Sequence, residues 1–584
     1  MFKHFRYSAV VIICAAGLIN PAVAAASGRR SLLLKSGGQR PPLQPARSQN
    51  PGGILPYISS AWTTLTRSMS ECKMLADPKD PANAVLYFPF DVPVPHSLKR
   101  ALAGCPVRLE HLPSVIHRLG GLNEHEINPH GLLYLPHPYV VPGGMFNEMY
   151  GWDSYFILRG LLQAGRIDLA RGIVENFFFE IDHYGAILNA NRGYTLSRSQ
   201  PPFLTAMARA VYGAEKARGQ DDRAWLREAY AYGEREVGFW TRAPNLAGAT
   251  GLSRYKALGS GPAPELGASG ADYYRGVVSY FLTHPQDAAP YLVHAGPAQP
   301  KSLGGPPQSL GPLFPIFVCN PAAAGSNPLN TQACAAAGRV GLSAAFYEGD
   351  RSLRESGFDI TFKFGPFGAG TPDYAPVGLN SLLYNEAENL AWMAGELGRA
   401  DQTAAWRKQA AERKAAINRY LWNPQRGLYF DYDFKTGKQS DYVYATTFYP
   451  LWVGAASPAQ AAAVEKSLKL LEEPGGIVMS QKQTGAQWDY PYGWAPLQLI
   501  ADEGLRRYGD NRDADRVSLD FLSMVAANFR RDHTIREKYN VVTRSSELTI
   551  QVGYPQNVIG FGWTNGVFTT LLNELPPALR KKAL

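Results

Sequence analysis

The chain has 584 residues and a formal net charge of +9, and this length is large for one hydrophobic core. The positive charge is compatible with an anionic partner. However, the basic residues are interspersed with acids and form no dense run, so nucleic-acid binding is weakly supported. Aromatic residues are plentiful at 12% and charged residues sparse at 18%, a composition typical of sugar-binding enzymes, in which rings stack on aromatic faces.

The first 24 residues have the pattern of a secretory signal peptide. Basic Lys3 and Arg6 precede an apolar stretch at 9–19, and small residues follow at 22–24. The apolar stretch is too short to span a bilayer, so we expect no membrane anchor in the mature form. The pattern predicts removal of residues 1–24 and a periplasmic or secreted protein.

Four cysteines remain after this predicted cleavage, namely Cys72, Cys105, Cys319 and Cys334. An even number in an exported chain fits disulfides, and proximity along the chain favours the pairs 72–105 and 319–334. The alternative is that all four are free buried thiols. Since no two of them form a C-x-x-C pair, we expect no metal site.

The composition changes along the chain divide it into regions. Residues 25–55 are rich in Gly, Pro, Ser and Arg, and we expect them to form a disordered leader. Residues 56–580 form the main predicted folded domain. Within it, residues 296–337 have the composition of a long irregular insertion, pinned by Cys319 and Cys334.

Helical periodicity dominates the predicted domain. In the segments 205–242 and 382–422, apolar residues return every three or four positions, and a polar turn divides each segment into two helices. Leu390, Met393 and Leu397, for example, share one helix face. Paired helices indicate a helical toroid or a solenoid, and the absence of a fixed-period repeat weighs against the solenoid.

Aromatic, acidic and glycine-rich segments fall between the predicted helices, on loops, where binding residues are common. The most distinctive are PGGMFNEMYGWDSYF (142–156), LNANRGYTLSRSQPP (188–202), RESGFDITFKFG (354–365), QWDYPYGWAPLQ (487–498), REKYNVV (536–542) and GFGWTNG (560–566).

Two of these segments, PGGMFNEMYGWDSYF and QWDYPYGWAPLQ, resemble the signature segments of the trehalases of glycoside hydrolase family 37. LLYLPHPYVVPGG, SRSQPP, RESGFD, VGLNSLLY, EKY and GFGWTNG are similar to its other motifs, in the family's order, over residues 60–575. The resemblance implies an all-α fold, an (α/α)6 toroid with long irregular loops. It also implies hydrolysis of the disaccharide α,α-trehalose to two glucoses, with inversion and without a cofactor. We expect a monomer.

Inverting hydrolysis of a glycosidic bond needs one protonated carboxyl and one carboxylate that activates water, about 6.5–9.5 Å apart. By resemblance, Asp359 is the general acid and Glu537 the general base. The acid must have a raised pKa, to which apolar neighbours such as Phe358 would contribute. The resemblance further implies these substrate-binding residues: Phe146, Trp152, Asp153, Asn189, Arg198, Gln200, Glu265, Gly357, Gln487 and Trp488. Among them, Phe146 and Trp152 are expected as walls, with Asp153 accepting from sugar hydroxyls.

Each assignment has a structural alternative. These are a helix N-cap for Asp359, an exposed helix charge for Glu537, loop anchoring for Arg198 and Gln200, and core packing for Trp152 and Trp488. Asp489 is as compatible with bracing its loop as with binding sugar, so it is not among the predicted site residues.

Three positions depart from the family pattern. Met145 stands where the family carries Arg, Ala263 replaces the Arg of an Arg-Pro-Glu segment but leaves Glu265, and Gly553 replaces a Glu. Glu547 is a candidate substitute for the lost acid.

The loss of two guanidiniums bears on specificity, because a charge-assisted hydrogen bond contributes roughly 1.5–3 kcal/mol. Lys256 and Lys363 are candidate replacements. The alternatives to a trehalase are therefore a related glycosidase acting on another α-linked glucoside, or a sugar-binding homologue with weakened catalysis.

Overall fold

The computed structural model of the protein describes residues 52–76, 84–295, 311–319 and 334–584. They divide into a larger unit, Ser48–Gly259 with Glu348–Leu584, and a smaller unit whose described residues fall within Ser260–Tyr347. The predicted signal peptide lies outside the described residues, as does the predicted leader up to residue 51.

The described residues are mainly helical. In chain order the helices are α1 Ile54–Leu65, α2 Cys72–Leu75, α3 His96–Ala101, α4 Asp153–Gln163, α5 Ile167–His183, α6 Leu204–Lys216, α7 Arg223–Trp240, α8 Gly270–Thr283, α9 Pro285–Ala288, α10 Ala344–Glu355, α11 Val377–Glu396, α12 Ala400–Tyr420, α13 Tyr449–Trp452, α14 Pro458–Lys466, α15 Ala495–Arg507, α16 Asn511–Asp532, α17 Gly562–Glu574 and α18 Pro577–Ala583. Helix α1 thus begins inside the predicted leader.

The strands are short. They are β1 Thr66–Arg67, β2 Val85–Phe88, β3 Arg108–His111, β4 Leu132–Leu133, β5 Tyr139–Val140, β6 Leu292–Ala295, β7 Phe314–Cys319, β8 Cys334–Leu342, β9 Tyr374–Ala375, β10 Trp422–Asn423, β11 Leu428–Tyr429, β12 Tyr432–Asp433, β13 Lys438–Gln439, β14 Glu472–Glu473, β15 Gly476–Ile477, β16 Tyr492–Trp494 and β17 Lys538–Asn540. In the larger unit they pair in small two- or three-stranded sheets, such as parallel β3-β2-β4 and antiparallel β16-β17.

Six helices of the larger unit pack in a closed order. Helix α4 contacts α6, α6 contacts α11, α11 contacts α13, α13 contacts α15, α15 contacts α17, and α17 returns to α4. Helices α5, α7, α12, α16 and α18 each follow one of these inner helices in the chain and pack against it. This arrangement is the predicted (α/α)6 toroid, and the all-α fold class is confirmed.

Burial separates inner from outer helices in the larger unit. Inner helix α11 buries 15 of its 20 residues, whereas its outer partner α12 buries only Trp406, Ala410 and Ile417. A helix buried on every side belongs to the interior of a large fold, and one with a single buried stripe belongs to its surface. No helix of the described residues is long and apolar enough to cross a membrane.

The smaller unit contains α8, α9 and an antiparallel sheet in the order β6-β8-β7. Strands β7 and β8 therefore occupy part of the segment 296–337 that the sequence predicts to be irregular. Its remainder, residues 296–310 and 320–333, lies outside the described residues. The short apolar run FPIFVC forms β7. The glycines and prolines around this run are the reason that the sequence predicted irregular structure here.

The cysteine pairing follows the prediction where it is described. Cys72 and Cys105 form a disulfide with their Cα atoms 5.5 Å apart. The register of β7 and β8 places Cys319 opposite Cys334. The side chains of this second pair lie outside the described part of the chain, so their disulfide stays a prediction.

Candidate active site

Asp359 lies on a loop after α10, where Arg354 occupies the last helical turn. The carboxylate is 3.7 Å from the Arg354 guanidinium and 22% exposed. The next helical turn, Pro366–Gly368, has Gly365 as its N-cap. The N-cap alternative for Asp359 is therefore excluded, and its carboxylate faces an accessible space beside a cation.

The buried Asp489 carboxylate holds the loop that follows Asp359. It accepts hydrogen bonds from the hydroxyls of Thr361 at 2.8 Å and Thr484 at 2.7 Å, and from the main-chain NH of Phe362 at 3.0 Å. Burial raises the pKa of Asp489, and these hydrogen bonds oppose the rise. Asp489 therefore braces this loop, which is one of the two roles that the sequence left open for it.

Glu537 directly precedes strand β17, so the alternative of an exposed helix charge is excluded. Its main-chain NH donates to the Val558 carbonyl at 3.0 Å, and its carbonyl accepts from the Trp563 indole NH at 3.1 Å. The Lys538 ammonium lies 3.1 Å from the carboxylate, which is 16% exposed. Backbone contacts and one ion pair therefore fix Glu537 at the edge of accessible space.

The Gln487 side chain connects the segments that carry the two carboxylates. Its amide NH₂ donates to the main-chain carbonyl of Asp359. Its amide oxygen accepts from the Lys538 ammonium at 2.8 Å. Since Lys538 also pairs with Glu537, one amide links two segments that are remote in the sequence.

Asp153, the first residue of α4, supplies a third carboxyl to the candidate site. Burial raises its pKa well above the ordinary value, and repulsion from Glu537 and then Asp359 raises it further, against an opposing backbone hydrogen bond. The raised pKa favours the protonated form, in which a carboxyl can donate as well as accept a hydrogen bond. The sequence predicted acceptance only.

An aromatic cluster packs behind these carboxyls. The Trp152 ring centroid lies 5.6 Å from Phe358, 5.9 Å from Trp488 and 5.7 Å from Trp563. Gly357 has φ +77°, and a Cβ there would lie 2.8 Å from the Trp152 indole, so glycine is required. Trp152 and Trp488 are both buried against other rings, which favours the packing alternative over open sugar-facing walls.

The loop 188–202 is anchored to the same region. The Asn189 amide NH₂ donates to the carbonyls of Ser199 at 3.3 Å and Arg354 at 3.1 Å. The Gln200 amide oxygen accepts from the Trp152 main-chain NH at 2.8 Å, and Arg198 is buried. Asn189 and Gln200 therefore position the loop, and any contact with a sugar stays a prediction.

The remaining predicted residues, Phe146 and Glu265, lie in separate units. Phe146 is half-buried, with its ring edge-on to Tyr150 at 5.6 Å. Glu265 lies on the short 3₁₀ helix Pro264–Ser269 of the smaller unit. Their roles in substrate binding stay predictions.

The departures from the family pattern have local structural consequences. Met145 is 42% exposed. Gly553 has φ +122°, and a Cβ there would come within 2.9 Å of the Gln487 side chain, so Gln487 occupies the space a larger residue would need. Glu547 is 82% exposed beside Arg531 at 3.8 Å, which excludes it as a buried replacement for the lost Glu.

The two lysines proposed as replacement cations are already paired. The buried Lys363 ammonium is 2.9 Å from Asp431, and Lys256 forms an ion pair with Glu348. The cation beside Asp359 is Arg354 instead. Its position within the motif RESGFD, at the end of a helix leading to Asp359, was the signal that sequence reasoning overlooked.

The trehalase family model matches residues 105–273 and 339–576, more than half of the chain. The chain belongs to the trehalase family. A cytosolic neutral trehalase of Neurospora crassa is 35% identical over 491 residues, covering 76% of this chain and 59% of that protein. A cytosolic neutral trehalase of Saccharomyces cerevisiae is 33% identical over 567 residues, covering 87% of this chain and 69% of that protein.

The fold of the family is also matched by a solved structure. The neutral trehalase Nth1 from Saccharomyces cerevisiae aligns with a TM-score of 0.71 and 31% identity, over 92% of this chain and 96% of that chain. The chain thus spans nearly all of this solved chain but only 59% of the Neurospora crassa protein.

The comparison with relatives corrects the predicted location. The similar trehalases of Neurospora crassa, Saccharomyces cerevisiae, Kluyveromyces lactis and Pyricularia oryzae are all named as cytosolic. The prediction of a periplasmic or secreted protein is wrong by this finding. It depended on a pattern in residues 1–24, a segment outside the described residues, whereas the family match begins at residue 105.

Proposed function

We propose that this protein is an inverting glycoside hydrolase that cleaves α,α-trehalose to two glucose molecules. The observation that carries the proposal is the group of carboxyls formed by Asp359, Glu537 and Asp153, two of which stand beside a cation and retain exposure. The names of the relatives, all trehalases, support the choice of substrate.

In the proposed reaction Asp359 gives its proton to the glycosidic oxygen as the bond from that oxygen to the anomeric carbon breaks. Glu537 takes a proton from a water molecule, whose oxygen forms the new bond to the same carbon from the opposite face. One glucose leaves with the original configuration and the other carries the inverted one. Side-chain carboxyls give and take the protons in both steps, so the proposed reaction requires no cofactor.

The neighbouring cations differ between the two carboxylates. The Arg354 guanidinium is 3.2 Å from Asp350 and 3.7 Å from Asp359, so Asp359 shares its cation with a nearer carboxylate. Glu537 lies closer to its own cation, Lys538, at 3.1 Å. The roles of Asp359 as acid and Glu537 as base follow the motif resemblance, and the ion pairs fix where the two carboxylates lie.

Arg354 is also the best candidate for a positive group that binds substrate. Its guanidinium donates to the Tyr554 hydroxyl at 2.7 Å as well as pairing with Asp350. Tyr554 is partly exposed, so this chain of polar groups extends from buried Asp350 towards solvent. Arg354 is a guanidinium beside Asp359, whereas Met145 stands at the position where the family carries Arg.

The test is the anomeric form of the glucose released from α,α-trehalose, followed by proton NMR before mutarotation. Inversion produces equal initial amounts of α- and β-glucose, because only the attacked ring changes configuration. Initial release of α-glucose alone would contradict the proposed mechanism. A double variant with Asp359→Asn and Glu537→Gln is the matched control for contaminating glucosidase.

A second candidate is a hydrolase for another α-linked glucoside. The exposed Met145 and the glycine at 553 favour it, since the family pattern places Arg and Glu at these positions. Kojibiose, nigerose and maltose assayed beside trehalose decide between the two. Glucose release only from one of these three would replace trehalose as the substrate, and binding without release from any sugar would indicate a protein that has lost catalysis.

A further inference from the structure

A cavity of about 650 Å³ lies in the larger unit. It is lined by the last turns of α7, by residues 117–118 and by residues 185–187. Its volume is within the range of about 300–1,000 Å³ typical of small-molecule sites. None of the proposed catalytic residues lines it.

The wall of this cavity carries an excess of positive groups. Arg118, Arg235 and Arg242 all line it. Arg235 is neutralised by an ion pair with Asp182. Arg118 and Arg242 are exposed, and neither guanidinium makes an ion pair or a side-chain hydrogen bond within the part of the chain that the structure describes.

The acidic groups of the wall do not cancel this charge. Glu234 accepts a hydrogen bond from the Tyr230 hydroxyl at 2.8 Å. Glu236 is buried, and burial followed by repulsion from Glu386 raises its pKa well above the ordinary value. Glu236 is thus buried against Glu386, and the exposed acid of the wall is Glu234, beside two guanidiniums that form no ion pair in the described part of the chain.

The cavity also has an apolar side. Half-buried Phe239 and the buried Trp240 line it next to Gly238. A Cβ at Gly238 would lie 3.7 Å from the Arg242 guanidinium carbon, so Arg242 folds back over the last turn of α7. A cationic rim beside aromatic rings suits an anion attached to a compact organic body.

The cavity shares a wall with the candidate active site. Ile187 and Ser199 line it, and the Ser199 hydroxyl donates to the Ile187 carbonyl at 2.6 Å. The Ser199 carbonyl accepts from the Asn189 amide at 3.3 Å, and its NH donates to Glu355 at 3.0 Å. A molecule in the cavity would therefore press on the loop that holds Asn189 and Gln200.

We propose that this cavity binds a small phosphate-bearing anion through Arg118 and Arg242, and that the bound anion alters the position of the loop 188–202. Arginine guanidiniums match phosphate oxygens in geometry and form charge-assisted hydrogen bonds with them. Binding is independent of the hydrolase assignment, whereas its effect on turnover rests on the proposed function.

The binding test is calorimetric titration of the full chain with inorganic phosphate and with glucose 6-phosphate. The double variant Arg118→Ala, Arg242→Ala is expected to weaken binding about tenfold or more, because two charge-assisted contacts are lost. The control is Arg227→Ala, an exposed arginine on α7 that does not line the cavity. It is expected to bind as the unmodified chain does.

Tighter binding of glucose 6-phosphate would identify a sugar phosphate, and equal binding would identify the phosphate group as the whole determinant; both support the site. No heat with either probe, or unchanged affinity in the double variant with its melting temperature preserved, would overturn it. If the site is filled, saturating phosphate changes the KM for trehalose in the unmodified chain but not in the double variant. An unchanged KM in both proteins would contradict the proposed effect on the loop but not the proposed binding. If the chain hydrolyses no trehalose, that result counts against the hydrolase assignment alone.

Discussion

Two regions of the candidate site present carboxyls in opposite environments. One consists of the loops that carry Asp359 and Glu537, and the other is the start of α4, which carries Asp153. Asp359 and Glu537 each have a cation within 4 Å and are partly exposed. Asp153 is buried, and its pKa is raised well above the ordinary value. Under the proposed mechanism, the exposed carboxylates paired with a cation exchange protons, whereas the buried Asp153 does not.

The largest expected effect comes from removing either proposed catalytic group. Asp359→Asn and Glu537→Gln are each expected to lower kcat on trehalose by about 10²–10⁴-fold, the usual contribution of a general acid or base. Steady-state glucose release measures this, with circular dichroism to show intact folding. Asp441→Asn, in an exposed carboxylate paired with Lys482, is the matched control and should leave kcat unchanged. Near-normal turnover in either variant would contradict the proposed catalytic role of that carboxyl, and with it the proposed difference from Asp153.

The cations that distinguish the two loops provide the next effect. Arg354→Gln and Lys538→Gln are each expected to lower kcat/KM about 10–100-fold, equivalent to roughly 1.5–3 kcal/mol for one charge-assisted contact. Arg354→Lys retains the charge without the forked geometry and should fall between the glutamine variant and the unmodified chain.

Steady-state kinetics on the two glutamine variants and the lysine variant sharpen the comparison. If Arg354→Lys were as impaired as Arg354→Gln, geometry rather than charge would be the contribution of Arg354. If both glutamine variants kept normal kcat/KM, the paired cations would be structural and would not mark the catalytic carboxyls.

The smallest effect concerns stability at the buried carboxyl. Because the pKa of Asp153 is higher in the folded than in the unfolded chain, the folded state binds more protons between the two values. Stability therefore falls as pH rises above the ordinary carboxyl range. Asp153→Asn removes this loss of stability. The melting temperature of the variant minus that of the unmodified chain should therefore increase by about 1–3 °C from pH 4 to pH 8. A constant difference across that range would show that Asp153 is ionised in the folded protein.

Sequence motifs predicted catalytic roles for Asp359 and Glu537, and the structure places each carboxylate beside a cation with partial exposure. The same motifs contained Arg354 and Lys538, yet neither was predicted as a site residue. A motif gives only the order of residue types. The end of α10 places Arg354 beside Asp359, and the pairing of β16 with β17 positions Lys538 beside Glu537.

Helical periodicity, the order of the motifs and the proximity of Cys72 to Cys105 together determined the family, the helical class and one disulfide from the sequence alone, since each depends on neighbours in the chain. The burial of Trp152, the pairing of Lys363 with Asp431 and the raised pKa of Asp153 were decided only by tertiary structure. Each depends on groups far away in sequence, because desolvation and electrostatic interactions act through space and a linear pattern does not record those distances.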